Sequence, residues 1–460
     1  MTIQMIIEPG IGQWRSAVLD EDGFPSSLSF HDETALSPVD AIFRARVTKL
    51  DTTNDMAFLD LGNGLTGAMS LRRAKLLVKG RADKISDCVT EGAALIVQVV
   101  AESAASEGKA YSVTPRPRLM GRYVVVEAGG ARLNFSKDLQ PKAVKALTPL
   151  LEPLAAQGAL IVRSRAGVVE PEVVAAEATT LMAALAPEND KPGLLFAFSP
   201  MEQALIAVPD GDGGVAIEGG GPFANARSVA SERWPDILDR LTTYDGDGPA
   251  FEHYGVEEAI EEALAGKILL PSGGWISIHE TPALTVVDVN MGQALKGRAA
   301  GDAKLIVNME AAMAVGYHLR FQDIGGLVVV DFIDMSAKGA ARDLMQALDA
   351  AFDGDSVPVQ HTGVSQFGLV EISRKRKGLS LKARMQRNRE PEVRPEAAAL
   401  ELMRKARRLG RSAAPGGIVI TAPKAVCDWL EAHPVYRDDL TLQTQRALTF
   451  KIGPLAVDLA

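Results

Sequence analysis

Two short segments constrain this chain more than anything else in it. Val286-Val287-Asp288-Val289-Asn290 and Val329-Val330-Asp331-Phe332-Ile333-Asp334 each set a carboxylate inside an apolar run that reads as a buried strand. A carboxylate taken out of water without a partner is strongly disfavoured or takes up a proton, so such groups are hydrogen-bonded, ion-paired or metal-bound. Side chains two apart on a strand share a face. Asp288 and Asn290 therefore project together, whereas Asp334, three residues past Asp331, is expected to point the other way. The residues alone leave two readings open: carboxylates satisfied by backbone amides or arginines, and carboxylates on a divalent cation, which we favour. A hard cation such as Mg2+ needs only one or two carboxylates plus waters and substrate oxygens. At a phosphodiester it would polarise the phosphate, activate a water and stabilise the leaving oxygen.

The chain has 460 residues, enough for about two to four hydrophobic cores. No stretch approaches the roughly 20 uninterrupted apolar residues of a spanning helix, and no basic segment followed by an apolar one opens the chain, so a cytoplasmic protein with no membrane span is expected. Cys88 and Cys427 are the only cysteines, which excludes a cysteine-based zinc site, argues against a disulfide framework and leaves oxygen ligands for any metal. The formal net charge of −9 conceals a basic stretch from 372 to 411 that includes Arg374, Lys375, Arg376, Lys377, Arg404, Arg407 and Arg408. Such a run reads first as a solvated helical surface or linker. There is no Gly-x-Ser-x-Gly elbow, no His-Glu-x-x-His helix and no phosphate loop ending in Gly-Lys-Ser/Thr. The glycines at 219–221 sit between β patterns without a helix start after them and read as a turn or flexible loop.

Six blocks follow from the patterning. Residues 3–30 alternate as a β-meander too small to stand alone, and residues 38–118 carry five short strands suited to a small closed barrel. Strands and helices alternate from about 119 to 200 as a separate α/β unit, and β then helical patterns resume over 202–264. The meander is expected to pair with that later segment, making the first domain discontinuous. From 268 to 373 a hairpin, a helix near Ala303 to Arg320, the strand Leu327 to Phe332, a second helix and a last strand form a layered α/β fold. The tail reads helix, strand, helix and two strands.

At these residues the chain resembles the ribonuclease E/G family of bacterial endoribonucleases. Leu270-Pro271-Ser272-Gly273-Gly274, Asp288-Val289-Asn290, Asn308-Met309-Glu310-Ala311, Asp323-Ile324-Gly325-Gly326-Leu327 and Asp331-Phe332-Ile333-Asp334-Met335 fall in the family's order at near-family spacing. Phe367-Gly368-Leu369-Val370-Glu371-Ile372-Ser373-Arg374 continues the likeness, which extends more weakly along nearly the whole chain. The resemblance implies a multidomain α/β and β protein: an RNase H-like domain in two parts (1–36 and 201–264), an inserted OB-type RNA-binding barrel (37–118), a 5′-sensor domain (119–200), a DNase I-like catalytic domain (265–390) and a small C-terminal α/β domain (391–460). It implies magnesium-dependent hydrolysis of single-stranded RNA to a 5′-phosphate and a 3′-hydroxyl, with Asp288 and Asp331 holding the metal and Asn290 supporting it. Phe58 matches an aromatic that stacks a base, although a lone Phe in a barrel strand is more often core. Lys109 matches a basic position beside the substrate. Arg163 and Ser164 match the pair that receives a terminal 5′-phosphate, a guanidinium fork and a hydroxyl.

The departures bear on strength and assembly. The family's Cys-Pro-x-Cys linker, which shares a zinc between subunits, is missing from Ser380 to Glu390, so a homo-oligomer would form without that metal. Ala68, Gln293 and Gln366 replace an aromatic, a basic residue and an arginine, and each change weakens RNA contact. The alternative is therefore a catalytically weak or inactive RNA-binding protein on the same fold; a DNA-directed metal nuclease is a third reading.

Overall fold

The computed structural model describes residues 2–101, 110–185, 191–294, 300–335, 339–355, 357–376, 378–386, 394–411 and 415–459. The chain divides into two units, one of residues 1–2, 12–14 and 30–245 and the other of residues 3–11, 15–29 and 246–460. Each is a mixture of α and β structure. Among the described residues no helix is long and apolar enough to cross a membrane.

The first unit contains the expected barrel. Strands Ile42–Asp51, Met56–Gly62, Leu65–Ser70, Tyr111–Thr114 and Ala94–Ala101 pair in that order, and the last pairs back onto the first, closing five strands into a ring. Closure removes the free edges that short strands otherwise expose. Alternation fills the interior: Ala57, Leu59 and Leu61 are fully buried with Phe43, Val47, Met69, Val97 and Val113, while Phe58 and Asp60 face out. A further strand, Gly193–Phe196, pairs antiparallel with the first residues of Ile42–Asp51.

Beyond the barrel, in the span expected to alternate strands and helices, helices form at Pro141–Ala155 and Pro171–Leu185. They accompany a four-stranded sheet of Arg118–Met120, Val124–Glu127, Arg132–Phe135 and Ala159–Val162. The glycines at 219–221 are not a turn. Gly219, at φ 86°, caps a 14-residue helix, Gly220–Arg233, directly after the strand Gly214–Glu218. That helix buries only Ala226 and Ala230, so it lacks the apolar stripe by which amphipathic helices are recognised, and Gly and Pro are compatible with a first turn.

In the second unit six strands form one sheet in the order Lys267–Leu269, Trp275–Glu280, Thr285–Asn290, Gly326–Asp331, Leu369–Arg374, Val359–His361. Four of the five pairings are antiparallel, and Thr285–Asn290 with Gly326–Asp331 is the parallel one. A parallel pair requires a crossover, supplied here by the helix Ala300–Phe321. That helix and Ala340–Phe352 cover one face of the sheet, where Val287, Val289, Val328, Val330, Val370 and Ile372 meet Val307, Ala311, Val315, Leu344 and Leu348.

Much of the basic stretch is built into the fold, while Lys375, Arg376, Lys405 and Arg411 are exposed. Arg374 is buried and ion-paired to Asp355 (2.9 Å) and Asp323 (3.0 Å). Arg376 donates to Gly325 O at 3.0 Å. On the helix Pro395–Gly410, Arg404 is buried beside Glu401, Arg408 reaches Glu8 (3.0 Å) and Glu252 (3.1 Å), and Arg407 donates to Pro9 O. Glu8 also pairs with Arg15, which bonds Glu257 at 2.6 Å. Most of the described arginines in the stretch hold the fold together.

Candidate active site and RNA-contacting surfaces

The two carboxylates that open the sequence argument stand directly opposite one another. In the parallel pair Asp288 is the register partner of Asp331. Adjacent strands lie about 4.8 Å apart, and side chains at paired positions share a face, so both carboxylates reach one point. The expectation that they are buried is wrong: Asp331 is exposed and Asp288 half-buried. Alternation is the reason. Val287, Val289, Val328 and Val330 point into the helix-covered core, which leaves Val286, Asp288, Asn290, Leu327 and Asp331 on the open face. Both carboxylates sit at the carboxyl ends of their strands, the edge at which open α/β sheets bind ligands.

Strand parity holds for Asn290, whose Nδ2 donates to Asp288 Oδ2 at 2.6 Å. It does not extend to Asp334, because the strand ends at Asp331 and the following residues are irregular. A buried asparagine fixes that irregular segment. Asn308, fully buried on the crossover helix, donates to Ile333 O (2.8 Å) and accepts from Ile333 N (3.0 Å). One turn earlier, Lys304 Nζ donates to Asp334 O at 3.1 Å.

The loop after Asn290 is held as tightly. Gln293 N donates to Gly273 O at 2.9 Å, and Gly292 has φ 49°. A Cβ on Gly292 would lie 2.2 Å from Gly273 O, so no other residue fits. Glu310 accepts from Ser272 N at 2.9 Å on the same Leu270-to-Gly274 turn. The motifs around residues 270 and 308 thus frame the carboxylates. The sequence names these residues without assigning them roles.

The donor set fits a hard divalent cation. Two carboxylates converge, Asn290 spends its amide nitrogen on Asp288 and keeps its carbonyl oxygen available, and such an ion takes its other ligands from water and substrate. Among the described residues no group of three or more His, Cys, Asp or Glu side chains could hold a metal, so the two carboxylates are the acidic ligands this site offers.

On the barrel, Phe58 is half-exposed on the outer face and is not core. Its cross-strand neighbours are Ala68 on one side and Lys49 on the other, the latter brought opposite by a bulge between Val47 and Lys49. Ala68 in turn pairs with Ser112, whose Oγ receives Arg73 Nη1 at 2.5 Å. An aromatic with the cation Lys49 opposite it is a chemistry suited to a nucleotide. Lys109 lies outside the described residues.

Arg163 and Ser164 follow the strand Ala159–Val162, both half-buried. Arg163 donates through its backbone to Tyr123 O (2.8 Å) and through Nη1 to Gly121 O (2.6 Å). The segment it grips is fixed by Glu177, which accepts from the N–H groups of Arg122, Tyr123 and Val124 and from Trp234 Nε1 at 2.7 to 3.0 Å. Burial, then the adjacent Arg165, lowers the pKa of Arg163 from its ordinary value. An anion would relieve both effects.

A profile of the ribonuclease E/G family matches residues 118–377. The chain belongs to the ribonuclease E/G family. It is 30% identical over 360 residues to ribonuclease E of Haemophilus influenzae, a match covering 74% of this chain and 38% of that protein. Against ribonuclease G of Escherichia coli K12 the identity is 28% over 397 residues, covering 82% of this chain and 80% of the relative, and ribonuclease G of Salmonella typhimurium gives 27% over the same length. Within the matched span of the ribonuclease E/G family lie the Asp288–Asp331 pair, Asn290, Asn308, Arg163 and Ser164.

Proposed function

We propose that this chain is a magnesium-dependent endoribonuclease that cleaves single-stranded RNA to 5′-phosphate and 3′-hydroxyl products, in cytoplasmic RNA processing or decay. The observation that carries the reading is the in-register pair Asp288 and Asp331 in a chain of the ribonuclease E/G family. Asp288 and Asp331 would hold the cation and Asn290 would support it. When bound there, the ion supplies polarisation of the phosphodiester and a more acidic water.

The chain's own residues set the geometry for that chemistry. Asn290 restrains the Asp288 carboxylate, and Asn308 fixes the backbone that follows Asp331, so both groups are held before substrate arrives. In the hydrolysis a water adds to phosphorus, the bond from phosphorus to O3′ breaks, and O3′ takes a proton. Lys304 adds positive potential beside the loop for an approaching phosphate. Phe58 offers a stacking face to an unpaired base, and Arg163 with Ser164 offers a fork and a hydroxyl to a 5′-phosphate. The family's domain plan comes with this reading: an RNase H-like domain split between 1–36 and 201–264, an OB-type barrel, a 5′-sensor and a DNase I-like catalytic domain.

The test is cleavage of a 5′-monophosphorylated single-stranded RNA oligonucleotide with and without Mg2+. Asp288→Asn and Asp331→Asn are expected to lower kcat by at least about a hundredfold, since groups one step removed from a metal already cost about 10- to 100-fold. Magnesium-dependent cleavage undiminished in both variants would refute the assignment. RNA binding with no magnesium-dependent product would establish the non-catalytic reading, which the replacements Ala68, Gln293 and Gln366 favour.

A further inference from the structure

Among the described phenylalanines two are more than half exposed, Phe24 at 67% and Phe367 at 75%. Phe24 lies at the tip of the N-terminal meander. Phe367 lies on a turn that hydrogen bonds hold rigid. Ser365 N donates to Leu369 O (2.8 Å) and Gly368 N to Ser365 O (3.0 Å), while Ser365 Oγ accepts from Phe367 N (3.3 Å) and Leu369 N (3.2 Å). A side chain held out by a closed turn forgoes the stabilisation that burial gives a phenyl ring.

The turn stands at the carboxylate edge of the sheet. Leu369, two residues after Phe367, is the antiparallel register partner of Asp331. A Cβ on Gly368 would lie 3.4 Å from Asp334 Oδ1, so the turn also packs against the segment that Asn308 clamps. The exposed ring and the carboxylate pair therefore belong to one rigid edge.

We propose that Phe367 is a base-stacking residue of the cleavage site: the unpaired base next to the scissile phosphate lies on its ring, which brings that phosphodiester to Asp288 and Asp331. This rests on the endoribonuclease reading and names the contact that imposes its single-strand requirement at the cut. The nucleotide beside the cut must be single-stranded, with its base free to leave the stack. Every base has a π-face, so the contact selects strandedness over sequence.

The experiment uses the full chain and a single-stranded oligoribonucleotide carrying 2-aminopurine beside the cleaved bond, with binding read in EDTA and cleavage read in Mg2+. Phe367→Ala is expected to weaken binding and raise KM about tenfold, to leave kcat within about twofold and to abolish the quenching of 2-aminopurine on binding. Phe367→Trp restores all three. Because the ring is exposed, neither variant should change the melting temperature. Affinity and quenching unchanged in Phe367→Ala would overturn the proposal, as would a fall in kcat at constant KM that Trp does not rescue. A wild-type protein that binds RNA and never cleaves it would remove the endoribonuclease reading, while the EDTA binding ratio would still decide whether Phe367 stacks a base.

Discussion

Asn308→Ala tests the argument that the backbone after Asp331 is held in place for chemistry. The side chain is fully buried and makes two bonds to one peptide, to Ile333 O at 2.8 Å and from Ile333 N at 3.0 Å. Truncation orphans both backbone groups, and a buried polar group left unpaired costs roughly 1–3 kcal/mol. Ile333 is only half-buried, so water can reach the peptide once the segment loosens. The stability loss should then sit near the low end for two groups, about 2 kcal/mol. The same loosening frees the segment next to Asp331, and kcat should fall about tenfold or more, since misplacement of about 1 Å already costs that much. Asn308→Asp keeps the acceptor for Ile333 N and loses the donor to Ile333 O, so its kcat should lie between the two. Urea unfolding and magnesium-dependent cleavage on the same preparations supply both numbers. A variant that loses stability yet cleaves like wild type would refute the reasoning, because Asn308 would then serve the fold alone.

Three further outcomes are expected. Ala68→Phe places a second ring opposite Phe58 and should tighten single-stranded RNA binding, with stacking worth about 1–3 kcal/mol per base; no gain would remove nucleic acid from that face of the barrel. Burial pulls the pKa of His318 down to about 4, below its unfolded value of about 6.5. Between those values the unfolded chain binds the extra proton. Stability should therefore be complete above about pH 6.5 and fall towards pH 4 by up to about 1.4 kcal/mol per unit. His318→Gln should flatten that slope, and an unaltered profile in urea unfolding would refute the assignment. Arg163→Ala should shrink the preference for 5′-monophosphate over 5′-hydroxyl RNA in competition cleavage, and an unchanged ratio would end its sensing role.

Much of the second unit was legible in the sequence because its strands are short apolar runs bounded by turn residues and helices such as Ala340–Phe352 carry an apolar stripe. The barrel was legible for the same reason, with Ala57, Leu59 and Leu61 inside. What local pattern could not give was which face of a strand is covered. The run around Asp288 looks buried throughout because valines fill both parities, and only the packing of two helices on one side separates Val287 and Val289 from Asp288. Register was equally out of reach: nothing local says that Asp288 meets Asp331, or that Phe58 meets Lys49 across a bulge. The arginines of the basic stretch were misread for a related reason, since ion-pair partners such as Glu8 and Asp355 lie far away in sequence or are acids of unremarkable local context.

The alternation in the strand Thr285–Asn290 has an evolutionary consequence. On the endoribonuclease reading proposed above, stability and reactivity occupy opposite parities of the same six residues, so selection can act on one with little effect on the other. Substitutions of Val287 or Val289 change how well the sheet holds its helices. Substitutions of Asp288 or Asn290 alter an open surface that the core does not use. A lineage can therefore retune, slow or abandon the reaction by a single exchange and keep an intact scaffold, free to acquire another use.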